Sequence, residues 1–345
     1  MTRPRVLYTD PPWLVEDGHL DPSLATVERE VLGPDVELVF GPHEDGKYQI
    51  TSPEMLKRAA GIDVLVVYRT QVTEELLDAA GKGLRVVVRQ GVGVDNLNAG
   101  LLARRGLPAY NVPDYCVDEV STHTSALALA LERQLVPQHR TLAGGKFDIY
   151  AGGIPHRTNG RTLGIVGFGR IGRAVARRLG AFYGQVLVYD PYVGRDLAEG
   201  YGARSVDTLE ELLAQSDMVT LHCPLTPETD ALLDEAALSR MKPGSYLVNA
   251  ARGRLVEPEG LHRALREGWI AGAGLDVFSP ENPHQDPRWH PVLAHPSVVV
   301  TSHRAFLSAE AEASSRRRVA ELVGAALDGR THGLVGRVTA PESGR

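Results

Sequence analysis

Arg252, Glu281 and His303 each stand at or just past a loop that follows a short apolar run. They offer a guanidinium, a carboxylate and an imidazole. A planar guanidinium grips a carboxylate through two parallel hydrogen bonds. An imidazole, with a reference pKa of about 6.5, takes up or releases a proton near neutrality. A carboxylate on its second ring nitrogen favours the charged ring and fixes its orientation. Such a set suits reduction of a carbonyl that neighbours a carboxylate. The cation neutralises the oxygens, the ring protonates the developing alkoxide, and the acid tunes the ring. Asp276, directly after the run Gly272–Leu275, is a second carboxylate in the same stretch.

Hydride transfer needs a dinucleotide, and residues 163–172 read LGIVGFGRIG. An apolar run leads into Gly167, Phe168, Gly169, Arg170, Ile171 and Gly172, and a helix-like stretch, Arg173–Gly180, follows. The next apolar run, Gln185–Tyr189, ends on Asp190, eighteen residues past Gly172. Glycines at a strand end let the backbone approach a pyrophosphate, and the helix start offers N–H groups and a positive dipole end. An acid at the second strand's tip takes ribose hydroxyls and repels a 2′-phosphate. Strand, helix, strand and acid come in the required order, so the expected cofactor is NAD(H), not NADP(H).

These residues need a scaffold, and the chain alternates short apolar runs with helical patterns almost throughout. That alternation predicts α/β architecture with parallel sheets and crossover helices. Strands are expected at Arg5–Tyr8, Val36–Phe40, Val64–Tyr68, Arg85–Val88 and Pro108–Asn111. A second set is expected at Leu163–Val166, Val186–Tyr189, Met218–Leu221, Tyr246–Asn249, Gly272–Leu275 and Val298–Thr301. Val117–Arg133 reads as a long buried helix, Gly144–Gly160 as an extended arm, and Arg316–Leu327 as an amphipathic helix whose Arg316–Arg318 run is a solvated face. The fingerprint lies mid-chain. The expected organisation is therefore a cofactor domain at 118–302 inserted in a domain of 1–117 plus 303–345. Both are parallel-sheet domains of Rossmann-like or flavodoxin-like kind, with a cleft between them.

Composition sets limits on the rest. At 345 residues, 43% hydrophobic and 23% charged, the chain is long enough for two packed domains. A net charge of −6 argues against nucleic acid or an anionic membrane as partner. No apolar run reaches the roughly 20 residues that span a bilayer. The two cysteines, Cys116 and Cys223, read as packed thiols in a reducing cytoplasm. His19, His43, His123, His139, His156, His222 and His262 show no metal-ligand spacing, so no metal is expected.

Seven segments carry a resemblance: RQGVGVDNL (89–97), NVPDYCVDEV (111–120), TLGIVGFGRIG (162–172), LHCPLTPET (221–229), VNAARGRLVE (248–257), GAGLDVF (272–278) and TSHRAF (301–306). In this order they resemble the D-isomer-specific 2-hydroxyacid dehydrogenase family, with VPDYC and HRAF leaning towards its C-terminal-binding-protein-like branch. The resemblance implies that Arg252 clamps and polarises the substrate. It implies that Glu281 pairs with His303, the acid in reduction and the base in oxidation. It also implies that Asp276 holds the nicotinamide carboxamide. His222, Cys223, Pro224, Thr229, Ala250 and Ala251 would line the nucleotide, with Arg252 and His303 also against the cofactor. Val92 and Gly93 would offer amides to the substrate carboxylate. Val92 and Val120 match further cofactor-contacting positions. The family commonly forms homodimers through the cofactor domain, which places the contact on the long helix and the arm.

Two departures from the family pattern flank His303: Ser302 replaces a usual proline, and Arg304 replaces a small or apolar residue. Arg304 is expected to favour a 2-oxo acid with a second anionic group, a phosphate, phosphonate or carboxylate. Arg69 and Arg89, at strand ends of the first domain, are further candidates for that role. Trp13 either walls the pocket or caps the domain. The expected function is NAD-dependent interconversion of a 2-oxo acid and a D-2-hydroxy acid. An NAD(H)-sensing, corepressor-like scaffold on the same fold is the alternative, and the family's phosphite and formate oxidisers are a third reading.

Overall fold

The computed structural model describes residues 3–330 and 335–339. The chain forms two compact units, Met1–Tyr115 with Ser308–Arg345, and Cys116–Leu307. The expected boundaries were 117/118 and 302/303, so His303 falls in the second unit, not the first. The reason is local: the His303 amide donates to the Asp276 carbonyl at 2.7 Å, tying the segment past 303 to the second sheet.

The first unit holds five parallel strands: β1 (Arg5–Tyr8), β2 (Glu37–Phe40), β3 (Val64–Val67), β4 (Val86–Arg89) and β5 (Ala109–Asn111). Their order across the sheet is β2-β1-β3-β4-β5. All four residues of β3 are buried, as expected of a central strand covered by helices on both faces. Serine and threonine start the covering helices. Ser52 accepts from the Met55 amide and Thr73 from the Leu76 amide, each cap contributing about 1 kcal/mol. Two small hairpins, unanticipated, follow β1 and β2: Val15–Glu16 with His19–Leu20, and His43–Glu44 with Lys47–Tyr48. Both turn on Asp-Gly pairs at positive φ, Asp17-Gly18 and Asp45-Gly46.

The second unit holds seven parallel strands: β6 (Thr162–Val166), β7 (Gln185–Tyr189), β8 (Arg204–Ser205), β9 (Met218–Leu221), β10 (Ser245–Asn249), β11 (Ile270–Leu275) and β12 (Val298–Val300). Their order is β8-β7-β6-β9-β10-β11-β12. It reverses between β6 and β9, the switch point where doubly wound sheets bind ligands at their carboxyl ends. Two helices matter here: α1 (Val117–Glu132), which packs on β10 and β11, and α2 (Arg170–Arg178), which follows β6. Only the short β8 escaped the sequence reading, since two residues carry no periodicity.

The last helix, α3 (Ala309–Leu327), starts seven residues before the expected Arg316. Ser308 caps it and acidic Glu310 and Glu312 suit its first turn. Arg316 departs from the solvated face expected of it. Its guanidinium bonds both oxygens of buried Glu28, at 3.0 and 2.8 Å, and the Leu24 carbonyl, closing α3 onto the helix Thr26–Leu32. Arg317 and Arg318 pair with Glu30 and Asp114.

Candidate active site

Three adjacent strands of the second unit deliver the chemistry at one edge. Asn249 is in register with Leu275, and Leu275 with Val300, so the loops leaving β10, β11 and β12 start side by side. Arg252 lies three residues past β10, Asp276 one past β11, and His303 three past β12. With strands about 4.8 Å apart, the three positions fall along a row of roughly 10 Å.

Each position is locked by its neighbours. Asn249 is buried; its Oδ1 accepts from the Ala251 amide at 3.0 Å and its Nδ2 donates to the Arg252 carbonyl at 2.8 Å. Next, Gly253 meets the following loop: a Cβ there would lie 2.1 Å from the Phe278 carbonyl carbon, so only glycine fits. Phe278 packs edge-on against buried Trp289, whose indole donates to the Ser279 carbonyl at 3.0 Å. That support fixes the loop carrying Glu281.

His303 sits at φ 51°, a left-handed conformation costing roughly 1–2 kcal/mol for a residue with a Cβ. Asp276 holds it there. The aspartate is fully buried; Oδ1 accepts from the Arg304 amide at 3.0 Å and Oδ2 from the Ala305 amide at 2.9 Å, beside the His303-to-carbonyl bond. The ring's Nδ1 lies 2.6 Å from Glu281 Oε1. An ionised glutamate can only accept, so Nδ1 carries the hydrogen and Nε2 is left for exchange with another group. The structure thus pairs Glu281 with His303, and Arg252 occupies the loop leaving β10 on the same edge.

At the switch point the three glycines have three different reasons. Gly167 has φ 91°, and a Cβ on it would meet the Cys223 amide nitrogen at 2.5 Å. A Cβ on Gly172 would meet the Gly167 carbonyl oxygen at 2.1 Å, so helix and strand touch there. Gly169 has nothing within 4 Å of such a Cβ, leaving its face open for a pyrophosphate. No side chain caps α2, no acid stands in its first turn, and Arg170 puts a cation at its positive end. An anion there relieves both features. Asp190 Oδ2 accepts from the Phe168 amide at 2.7 Å and Oδ1 from the Tyr192 amide at 2.9 Å, so the carboxylate turns towards the glycine loop with lone pairs to spare. The residues fit a dinucleotide. Gly169→Ala is therefore expected to melt like the wild type yet bind NADH about tenfold more weakly. Gly172→Ala should lose about 1–3 kcal/mol of stability outright. Thermal melts beside NADH titrations separate the two.

The remaining candidates are distributed as follows. Burial pushes His222 down to about 3, so it is neutral and no proton donor, and pushes the Cys223 thiol up to about 11, leaving it inert. Thr229 closes its own turn, accepting from the Thr226 amide and donating to the Pro224 carbonyl at 2.7 Å. Ala250 and Ala251 border Arg252, and Ile171 lies in the first turn of α2. Val120 is buried in α1. Arg304 is exposed beside His303. In the first unit, Asn111 Nδ2 donates to the Val92 carbonyl at 2.6 Å and the Val112 amide to the Gly91 carbonyl, pinning the turn that carries Gly93. Asp10 accepts from the Arg69 amide at 2.6 Å, and the Arg69 and Arg89 guanidiniums both stack on Tyr68 at 5.5 Å. Trp13 meets Tyr68 edge-on.

Sequence reasoning missed Asn249, Thr301, His123 and Asp10. The first two stand inside segments already quoted, where a buried polar residue next to a functional one is the signal. His123 and Asp10 lie far along the chain from what they hold. Among the described residues no group of histidine, cysteine and acidic side chains is arranged to hold a metal, and no helix is long and apolar enough to cross a membrane.

Comparison with known proteins agrees with this geometry. Residues 125–305 match the family described as D-isomer specific 2-hydroxyacid dehydrogenase, NAD binding domain. The chain is 36% identical over 282 residues to a D-3-phosphoglycerate dehydrogenase of Methanocaldococcus jannaschii, covering 81% of this chain and 52% of that one. It thus spans about half the length of that relative. It is 39% identical over 273 residues to a glyoxylate reductase of Korarchaeum cryptofilum, covering 78% of this chain and 80% of that one. A D-lactate dehydrogenase of Aquifex aeolicus, solved with NAD and lactic acid, superposes with a TM-score of 0.85 at 26% identity, covering 98% and 99% of the two chains. The glycine loop with its aspartate, the histidine–glutamate pair and these likenesses converge: the chain belongs to the D-isomer-specific 2-hydroxyacid dehydrogenase family and carries its NAD-binding domain.

Proposed function

We propose that this protein interconverts a 2-oxo acid and a D-2-hydroxy acid with NAD(H), using Arg252, Glu281 and His303. The observation that carries the reading is the 2.6 Å bond from His303 Nδ1 to Glu281, on a strained turn at the edge shared with Arg252. When bound, the reduced coenzyme supplies the hydride for the carbonyl carbon. His303 delivers a proton from Nε2 to the carbonyl oxygen, and Glu281 stabilises the charged ring before that transfer. Arg252 binds the substrate carboxylate and offsets the negative charge growing on oxygen. In the first unit the turn pinned by Asn111 and Val112 carries the amides of Val92 and Gly93, which are the proposed donors to a carboxylate that can only accept. Asp190 selects NAD(H) by bonding ribose hydroxyls and repelling a 2′-phosphate. Asp276 acts first as the anchor of the 303 turn, with the carboxamide contact as its second role.

The substrate carries a second anionic group on this reading, supported by exposed Arg304 beside His303 and by Arg69 and Arg89 at strand ends. Following NADH oxidation with glyoxylate, pyruvate, hydroxypyruvate and phosphonopyruvate tests both levels. Turnover of any of them supports the dehydrogenase. A loss in Arg304→Ala confined to dianionic acids supports the second anion, and equal losses remove it. Intact NADH binding without turnover would instead favour an NAD(H)-sensing scaffold.

A second copy of the chain is the proposed protein partner. The helix Leu135–Ala143 buries none of its residues, and Phe147, Tyr150 and Ile154 on the following arm are 85%, 64% and 77% exposed. Apolar side chains so close together ask for cover. Phe147→Asp with Ile154→Asp is expected to convert a dimer to a monomer in sedimentation analysis; an unchanged mass would place the contact elsewhere. Two free cysteines fit a reducing compartment, and the cytoplasm is the proposed location.

A further inference from the structure

We propose that His123 is a positioning residue for the reaction, setting the His303 turn through Thr301 and Asp276. The proposal rests on the dehydrogenase reading for its kinetic consequences but not for its structural ones. His123 projects from α1, and its Nε2 lies 2.9 Å from Thr301 Oγ1. Thr301 Oγ1 lies 2.5 Å from Asp276 Oδ1, and His123 Nε2 is itself 3.6 Å from that oxygen. The same Oδ1 accepts from the Arg304 amide, while Oδ2 accepts from the Ala305 amide.

Only one arrangement of hydrogens satisfies this chain. The Asp276 carboxylate has none to give, so the threonine hydroxyl donates its single hydrogen to Oδ1. Thr301 then has only lone pairs for His123, whose Nε2 must carry a hydrogen and donate it. The direction of every bond therefore runs from α1 through Thr301 into the aspartate. Asp276 is fully buried, and its carboxylate bears the two amides that directly follow the left-handed His303. A carboxylate free to rotate would release one or both amides, and His303 would relax towards ordinary backbone angles. Thr301 stops that rotation, and His123 holds Thr301 in the rotamer that does so. The helix lends its rigidity to a turn more than 170 residues away in sequence.

A simple tie between helix and sheet would hold the same bonds, so the test reads the turn itself. Amide hydrogen exchange at Arg304 and Ala305, and kcat and KM for a 2-oxo acid substrate, are measured in the full chain and in His123→Ala, His123→Gln, Thr301→Val and the His123→Ala/Thr301→Val pair. In His123→Ala the two amides are expected to exchange faster while those of β6 and β9 do not, and kcat falls about 10- to 100-fold with KM within about threefold. Glutamine, which keeps a donor, restores most of the loss. Thr301→Val matches the alanine variant, and the double variant is no worse than Thr301→Val, since both cut one chain. Thr301→Val keeps the threonine shape and carries the test if His123→Ala does not fold. Unchanged exchange at the two amides, or losses that multiply in the double variant, would overturn the proposal. If the wild type turns over no 2-oxo acid, the dehydrogenase reading fails separately, and the exchange rates alone decide this one.

Discussion

Replacing His303 with asparagine is expected to lower kcat for 2-oxo acid reduction by about 10²- to 10⁴-fold, with NADH affinity within about threefold of the wild type. Asparagine is the informative choice because of the backbone. His303 holds φ 51°, and asparagine enters that region more readily than most residues, so the turn over Asp276 survives. Its amide can still donate towards Glu281, where the imidazole Nδ1 stands 2.6 Å away. What disappears is the ring nitrogen Nε2 that hands a proton to the substrate oxygen. Steady-state kinetics with NADH titrations read the two effects apart. A kcat within tenfold of the wild type would assign proton delivery to another residue. Glu281→Gln should cost less, because it keeps an acceptor for Nδ1 and removes only the charge that favours the imidazolium.

The parts of this molecule that sequence reveals are those encoded locally. Gly167 and Gly172 answer to backbone in the same turn or past the strand beside it, and Gly169 to open space, all within one short loop, so spacing alone announces it. The central strands β3 and β9 are buried throughout; β3 reads as an unbroken apolar run, and β9 as one interrupted only by Thr220. By contrast, the hairpins turning on Asp17-Gly18 and Asp45-Gly46 carry only the Asp-Gly pair as a signal, because their two-residue arms have no alternation. Arg316 is hidden from sequence for a different reason. A run of three arginines looks like a solvated face, and nothing nearby in sequence shows that Glu28 is buried opposite the first of them. The anchoring of the site was illegible for the same cause. Asp276 was visible as an acid after a strand, but its work on the 303 turn depends on the register of β11 with β12, and the link to His123 depends on where α1 crosses the sheet. Residue types announce what chemistry is present; long-range register decides what holds it still.

Arg252→Lys is the second large effect, with kcat/KM expected to fall about 10²- to 10³-fold, equivalent to about 2.7–4 kcal/mol of transition-state stabilisation. The substitution isolates geometry from charge. Around position 252 the backbone is fixed independently of the side chain: Asn249 holds the Arg252 carbonyl at 2.8 Å, and Gly253 is wedged against Phe278. The arginine itself is braced by an Nη1 donation to the Ala251 carbonyl at 2.7 Å, which aims the planar fork. Lysine keeps the positive charge but offers a single rotating ammonium, so it cannot brace on that carbonyl and grip a carboxylate with two parallel bonds at once. If charge alone mattered, lysine would be nearly as good as arginine and only Arg252→Ala would fail. If the fork matters, lysine and alanine fail together, and guanidinium ion added to the alanine variant restores part of kcat while leaving the lysine variant unchanged. Near-normal kinetics in Arg252→Lys with a failing Arg252→Ala would leave charge alone as the requirement, and near-normal kinetics in both variants would move the anion clamp off this residue.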